Sequence, residues 1–194
     1  MLKKMSLKKA VSVILVLVIM LACIGSLAEN QNDTSEGPKW GMSIAQVKTT
    51  QRNVDWDLIV GEDGITCWFY SDSTISIRNV HAFVFVSGYF RREILKYTDE
   101  YDDYDMYTWS YNNFKGESIK AFGDPDSDDT IWSNEEYKGN PKDYSKAVLA
   151  GDLICKTVWK KPDANISMVW SGGDGQCTIT FYFDDPEYPV DFEL

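Results

Sequence analysis

Ala82-Phe83-Val84-Phe85-Val86-Ser87-Gly88-Tyr89-Phe90 is a long run of β-branched and aromatic residues, and its reading as extended chain decides the fold. Working back from it, Thr74–Arg78 has the composition of a short strand, and Ser71-Asp72-Ser73 reads as a break before it. Ile65-Thr66-Cys67-Trp68-Phe69-Tyr70 is a further strand, and the turn Gly61-Glu62-Asp63-Gly64 separates it from Leu58-Ile59-Val60. Strand-like segments at such short spacing, divided by turn residues, describe an antiparallel meander. Ahead of the meander stands Trp40-Gly41-Met42-Ser43-Ile44-Ala45-Gln46-Val47. Ser43 is a natural helix N-cap, Gln46 completes a capping box, and Met42 with Val47 forms a hydrophobic staple. The helix starts at Ile44 and frays between Thr50 and Arg52, because Thr49 and Thr50 lose side-chain freedom in a helix.

Beyond Thr98 the composition changes. Asp99, Glu100, Asp102, Asp103 and Asp105 crowd together, and Tyr104, Tyr107, Tyr111, Phe114, Ser118 and Phe122 recur at helical spacing. This predicts a helix over residues 100–122, with carboxylates at the end where they complement its dipole. The same acids also read as a face for a cation or partner. Gly123 and Pro125 stop the helix. Ile131-Trp132 opens an extended piece, residues 134–142 are a polar loop, and Tyr144–Ala150 is a short helix ended by Gly151. Strands over Leu153–Lys160, Asn165–Ser171 and Gln176–Asp184 close the chain, joined by Lys161-Pro162-Asp163 and Gly172-Gly173-Asp174-Gly175. The expected class is therefore α+β, with helices packed on antiparallel sheet in a single domain over 40–194. Residues 40–97 and 98–184 look like two related halves, each a helix followed by a meander, with Cys67 and Cys155 in similar places.

The N-terminus reads as a targeting segment. Lys3, Lys4, Lys8 and Lys9 precede an apolar run from Ala10 to Ile24, and Gly25-Ser26-Leu27-Ala28 leads to Glu29. A charged start, a greasy middle and a small-residue cleavage site make a secretory signal peptide over 1–28. The apolar run falls short of the ~20 residues that span a bilayer. Cys23 leaves a second processing route open: cleavage before it and lipidation would tether the domain to a membrane surface. Residues 29–39 read as a disordered leader. The expected location is secreted or extracytoplasmic.

Loss of residues 1–28 removes four lysines and no acid, which takes the net charge of −11 to −15. Such a chain repels nucleic acid and anionic headgroups, so no nucleic-acid partner is expected. Seven Trp, eleven Tyr and nine Phe read first as a β-rich aromatic core and second as an exposed platform for sugar or protein. Cys67, Cys155 and Cys177 lie within apolar strands and read as buried thiols. Cys155 and Cys177 open the first and third strands of a meander, roughly 10 Å apart, too far for a disulfide.

Chemical signatures are sparse. Asp124, Asp126, Asp128 and Glu135 match positions 1, 3, 5 and 12 of a calcium loop, but Asp129 stands where a glycine normally turns the chain, and Pro125 stiffens the second position. His81 is the lone histidine and the one residue on which a Ser–His or Cys–His catalyst could rely. No CxxC pair or phosphate loop is present, no carboxylate pair stands out by spacing, and no cofactor is implied.

Trp40-Gly41-Met42-Ser43 with Val47, Phe122-Gly123-Asp124-Pro125 leading to Trp132, and Gly151 leading to Trp159 together resemble a group of uncharacterised bacterial secreted proteins. That group is similar to the small lipoproteins of the β-barrel assembly machinery and to the β-lactamase inhibitor protein fold. The resemblance spans most of 40–184 and departs at Ala45-Gln46, where such motifs often carry acids. It implies helices on an antiparallel sheet and protein–protein binding, and no active-site residue. The functional expectation is a non-enzymatic protein-binding module outside the cytoplasm, using the sheet face. The alternative is a secreted hydrolase or glycan-acting protein built on acidic and aromatic residues. A third reading is a calcium-dependent binding module.

Overall fold

The β-branched and aromatic runs pair into one eight-stranded antiparallel sheet, and three α-helices among the described residues accompany it. The computed structural model describes residues 37–51, 54–61, 64–74 and 77–190. The signal peptide, Cys23 and the leader up to residue 36 lie outside the described residues. Helix α1 (Ile44–Thr50) is followed by β1 (Asp57–Val60), β2 (Ile65–Thr74), β3 (Ile77–Val86) and β4 (Tyr89–Asp99). Then come α2 (Tyr104–Phe122), β5 (Ser127–Trp132), α3 (Tyr144–Ala150), β6 (Leu153–Lys160), β7 (Asn165–Gly173) and β8 (Gln176–Asp184). The strand order is β1-β2-β3-β4-β8-β7-β6-β5, so two four-stranded meanders meet through β4 and β8 at the centre.

The α1 cap forms as its residues dictate. The Ser43 side chain accepts from the Gln46 N–H, and the Gln46 side chain accepts from the Ser43 N–H at 2.9 Å. Val47 is fully buried among Phe83, Phe85 and Phe90, with Met42 packed alongside. Helix α2 begins at Tyr104 rather than Glu100, because Asp103 is its N-cap and takes the Asp105 N–H at 3.1 Å. Tyr107, Ser110, Tyr111, Phe114 and Ser118 face the sheet, while Tyr104 is half-exposed.

The first meander differs from its sequence reading. β2 continues through Ser71-Asp72-Ser73 to Thr74, because its ladder with β3 runs unbroken from Ile65↔Val86 to Thr74↔Ile77. Cross-strand pairing here overrides the turn preference of three short polar residues. The expected strand at 74–78 and the run at 82–90 are not separate units. β3 joins them, and Ser87-Gly88 then cuts the run into a hairpin. Both residues have positive φ, 53° and 85°, as a two-residue hairpin of matching twist requires. Asp174-Gly175, with φ of 51° and 76°, makes the corresponding turn between β7 and β8. Strand β5 likewise starts at Ser127, four residues before the expected Ile131.

One face of the sheet carries the main core. Leu95, Tyr97, Leu153, Trp159, Ile166, Met168, Trp170, Ile179, Phe181 and Phe183 pack under Tyr107, Tyr111 and Phe114 of α2 and Ala147 and Val148 of α3. Tyr111 stacks on Trp170 with ring centres 4.5 Å apart, and the Trp159 indole N–H donates to the Gly123 carbonyl. Gly172 lies in β7 rather than in the turn. A Cβ there would fall 2.4 Å from the Gln176 carbonyl oxygen and 2.5 Å from that of Val148. Its missing side chain is what lets α3 approach the sheet. Cys67 and Cys155 do not occupy equivalent places: Cys155 belongs to the helix-covered core, whereas Cys67 belongs to the cluster on the opposite face.

Candidate functional site

Side chains alternate across a strand, so the residues opposed in register sort into two faces. The face opposite the helices has its own buried floor of Cys67, Ala82, Val84, Ile94, Val169 and Tyr182. No helical residue belongs to this cluster. Val84 is nonetheless inaccessible and Tyr182 is 6 % exposed, so this face is sealed by its own side chains and by the segment after β8. The Arg92 guanidinium lies over the Tyr182 ring, 5.1 Å away. It holds Asp184 through two hydrogen bonds of 2.5 and 3.1 Å and donates to the Val190 carbonyl at 2.5 Å. Such an inward-facing, doubly bonded pair fixes β4 against β8 at their ends.

Above the floor the face is polar and mixed. One row crosses the sheet as Asp129, Lys156, Val169, Thr180, Lys96, Val80 and Ser71. The next row places Ser171, Thr178, Thr98 and Arg78 in register. Toward the outer strands it ends in half-exposed apolar residues: Ile59 at 51 %, Ile131 at 52 % and Ile154 at 37 %. Its charge runs against that of the chain. Its paired strand positions carry Arg78, Arg92, Lys96, Lys156 and Lys160 against Asp57, Asp129 and Asp184. The balance is +2 on a chain of −11.

The helix-covered face holds the one arrangement that looks catalytic. The Tyr70 hydroxyl is 2.5 Å from His81 Nδ1, and His81 Nε2 is 2.5 Å from a Glu93 oxygen. A phenol, an imidazole and a carboxylate in series have the order of a proton relay. The ring is packed against Phe83 and Tyr70, with centroids 4.6 and 5.1 Å away. The series links β2, β3 and β4 as a part-buried polar network. Sequence reasoning found His81 but not its partners. The signal was available: Tyr70 and Glu93 fall opposite the neighbourhood of His81 once the strand register is known.

The calcium-loop residues do not converge. Strand β5 runs through the middle of the motif, and its extended chain turns Asp128 and Asp129 to opposite faces. Asp126 accepts the Lys160 N–H at 2.7 Å. Asp128 takes the Lys115 ammonium at 2.5 Å and the Thr157 hydroxyl at 3.0 Å. Glu135 pairs with Lys138. Among the described residues no group of three or more His, Cys, Asp or Glu is placed to hold a metal ion.

Several surface clefts lie among the described residues. One of about 420 Å³ lies between Trp40, Arg91, Pro162, Asp163 and Asp185. Asp185 gives one oxygen to Arg91 at 2.5 Å and the other to the Glu187 N–H at 3.0 Å, so it serves as a tether for the segment after β8. The aromatics chiefly build the core: Trp159 and Trp170 are fully buried, and Trp109 is the single tryptophan among the exposed large residues. All three described cysteines are buried and stand outside any disulfide among the described residues. Strand β7 separates Cys155 from Cys177, and the Trp170 indole N–H donates to the Cys177 sulfur at 2.8 Å. Burial pushes the thiols of Cys67 and Cys155 up to about 11. Thiols held neutral in this way are poor nucleophiles.

Among the described residues no helix is long and apolar enough to cross a membrane. No protein-family profile matches the chain, and neither a curated protein nor a solved structure shows significant similarity to it.

Proposed function

We propose that this protein is a non-enzymatic binding module, exported from the cytoplasm, that holds another protein on the open face of its sheet. The observation that carries the reading is the division of the sheet: three helices take one side, and the other presents a mixed polar and apolar surface on a rigid floor. Rigid backbone lowers the ordering cost of association. A mixed surface with apolar margins also fits the composition of protein interfaces that form and release. Location outside the cytoplasm rests on the lysine-led apolar segment at the N-terminus. The sequence resemblance to the β-lactamase inhibitor and assembly-lipoprotein folds points in the same direction.

The hydrolase reading draws no support from the Tyr70–His81–Glu93 series or from Asp185, because each is committed to contacts within the fold. A steric block tests the proposal. Ser171→Trp fills the open face, and Asn112→Trp adds the same bulk to the exposed side of α2. Capture of a partner from culture supernatant or envelope extract is expected to fail with Ser171→Trp and to persist with Asn112→Trp. Loss with the α2 variant alone would place binding elsewhere.

A further inference from the structure

The open face has a chemical preference written into its centre. Lys96 sits on β4, half-buried, directly across from Thr180 of β8. Thr98 and Thr178 oppose each other in the next pair of that ladder, and Arg78 continues their row on β3. Two other cations of the face have an acid in register: Arg92 holds Asp184, and Lys156 stands across from Asp129. Lys96 makes no ion pair among the described residues. Lys96 is thus a partly buried lysine to which the described residues supply no ion-pair partner, with the Thr98 hydroxyl two residues along the same strand. It lies on the central strands, where hot spots of an interface concentrate.

Resting on the reading of this face as the binding surface, we propose that Lys96, with Thr98 and Arg78 beside it, docks carboxylates displayed on an acidic partner protein. Charge complementarity carries the choice of partner. The strand positions of the face are net positive on a strongly negative chain, so they attract acids at short range while the rest of the body repels anions. An extended polyanion such as a membrane or nucleic acid would meet that repelling body around a small positive window. A folded partner need match only the window. The Thr98 hydroxyl suits a carboxylate oxygen as a short-range donor, and the lysine supplies the charge.

The full chain is tested by fluorescence anisotropy with a labelled glutamate–alanine peptide as the probe. The expected result is binding that weakens as salt is raised, falls about tenfold or more with Lys96→Glu, and is weakened also by Lys96→Gln. Lys142→Glu, on the exposed 3₁₀ turn before α3, is expected to leave it unchanged. Circular dichroism confirms that each variant is folded, and Lys96→Gln keeps the test open if the glutamate variant is not. No peptide binding, equal binding of a lysine–alanine peptide, or equal loss with Lys142→Glu would overturn the proposal. So would binding to phosphatidylglycerol vesicles without binding to the peptide. If Ser171→Trp blocks partner capture while Lys96→Glu does not, the face stands and its acidic preference falls. If neither variant affects capture, both fall.

Discussion

At Gly172 two stretches of backbone close on a single Cα from opposite sides. The carbonyls of Gln176 and Val148 leave no room for a methyl group, and neither belongs to a flexible side chain that could move aside. Gly172→Ala is therefore expected to cost about 1–3 kcal/mol through overpacking. Urea unfolding measures it, and an unchanged midpoint would mean that α3 can shift away from β7. The thiols make a second residue-scale prediction. Cys67 and Cys155 ionise near 11 in the folded protein, against an ordinary 9.0. The unfolded chain thus loses these protons first, and folding stability is fully present below about pH 9 and declines as pH rises toward 11. Burial also raises the Tyr111 hydroxyl, which adds to the loss above its ordinary range. Unfolding measured across this window should show the decline, and Cys67→Ala with Cys155→Ala should flatten its first part. Of all this, the sequence disclosed buried thiols but not Gly172. A glycine in Gly-Gly-Asp-Gly looks like a turn residue, and only the approach of α3, a distant element, gives it another task.

Elements were legible where a local rule and tertiary packing agreed. The α1 cap, α3, β6 and β8 follow from Ser43-Gln46, Gly151 and simple alternation, and they stand where those residues place them. The misreadings share one cause: pairing with a neighbouring strand outweighed local preference. Ser71-Asp72-Ser73 would turn if left alone, but ten residues of β3 hold them extended. The Arg-rich stretch of β4 looks unlike a strand because both its faces carry charges. Arg92 pairs with Asp184 of β8, a residue far away in sequence. For α2 the start is set by Asp103, whose carboxylate caps the Asp105 N–H. Asp103→Ala should lower stability by about 1 kcal/mol, read as a shifted thermal or urea midpoint. The neighbouring acids Asp102 and Glu100 make no such bond in the described structure, and their substitution by alanine is expected to cost less.

The described residues join two meanders into one sheet and place their three α-helices on one side of it. The candidate site followed only partly from the sequence. That a sheet face would do the binding was an expectation, and its residues were hidden because register, not spacing, assembles them: Lys96, Thr180, Arg78 and Thr178 come from three strands of both halves. The overall acidity of the chain even pointed away from a basic surface. The calcium motif shows the converse: spacing put Asp124, Asp126, Asp128 and Glu135 in line, and an edge strand pulled them apart.

The claim at this scale is that the helix-free face is where a partner sits. Photo-cross-linking tests it most directly, with a light-activated residue placed singly at Val158 on the open face or at Asn112 on α2, and the full chain exposed to its native extracellular fraction. The account predicts a discrete protein adduct from position 158 and none from position 112. Adducts from position 112 alone, or equal labelling from both, would contradict it.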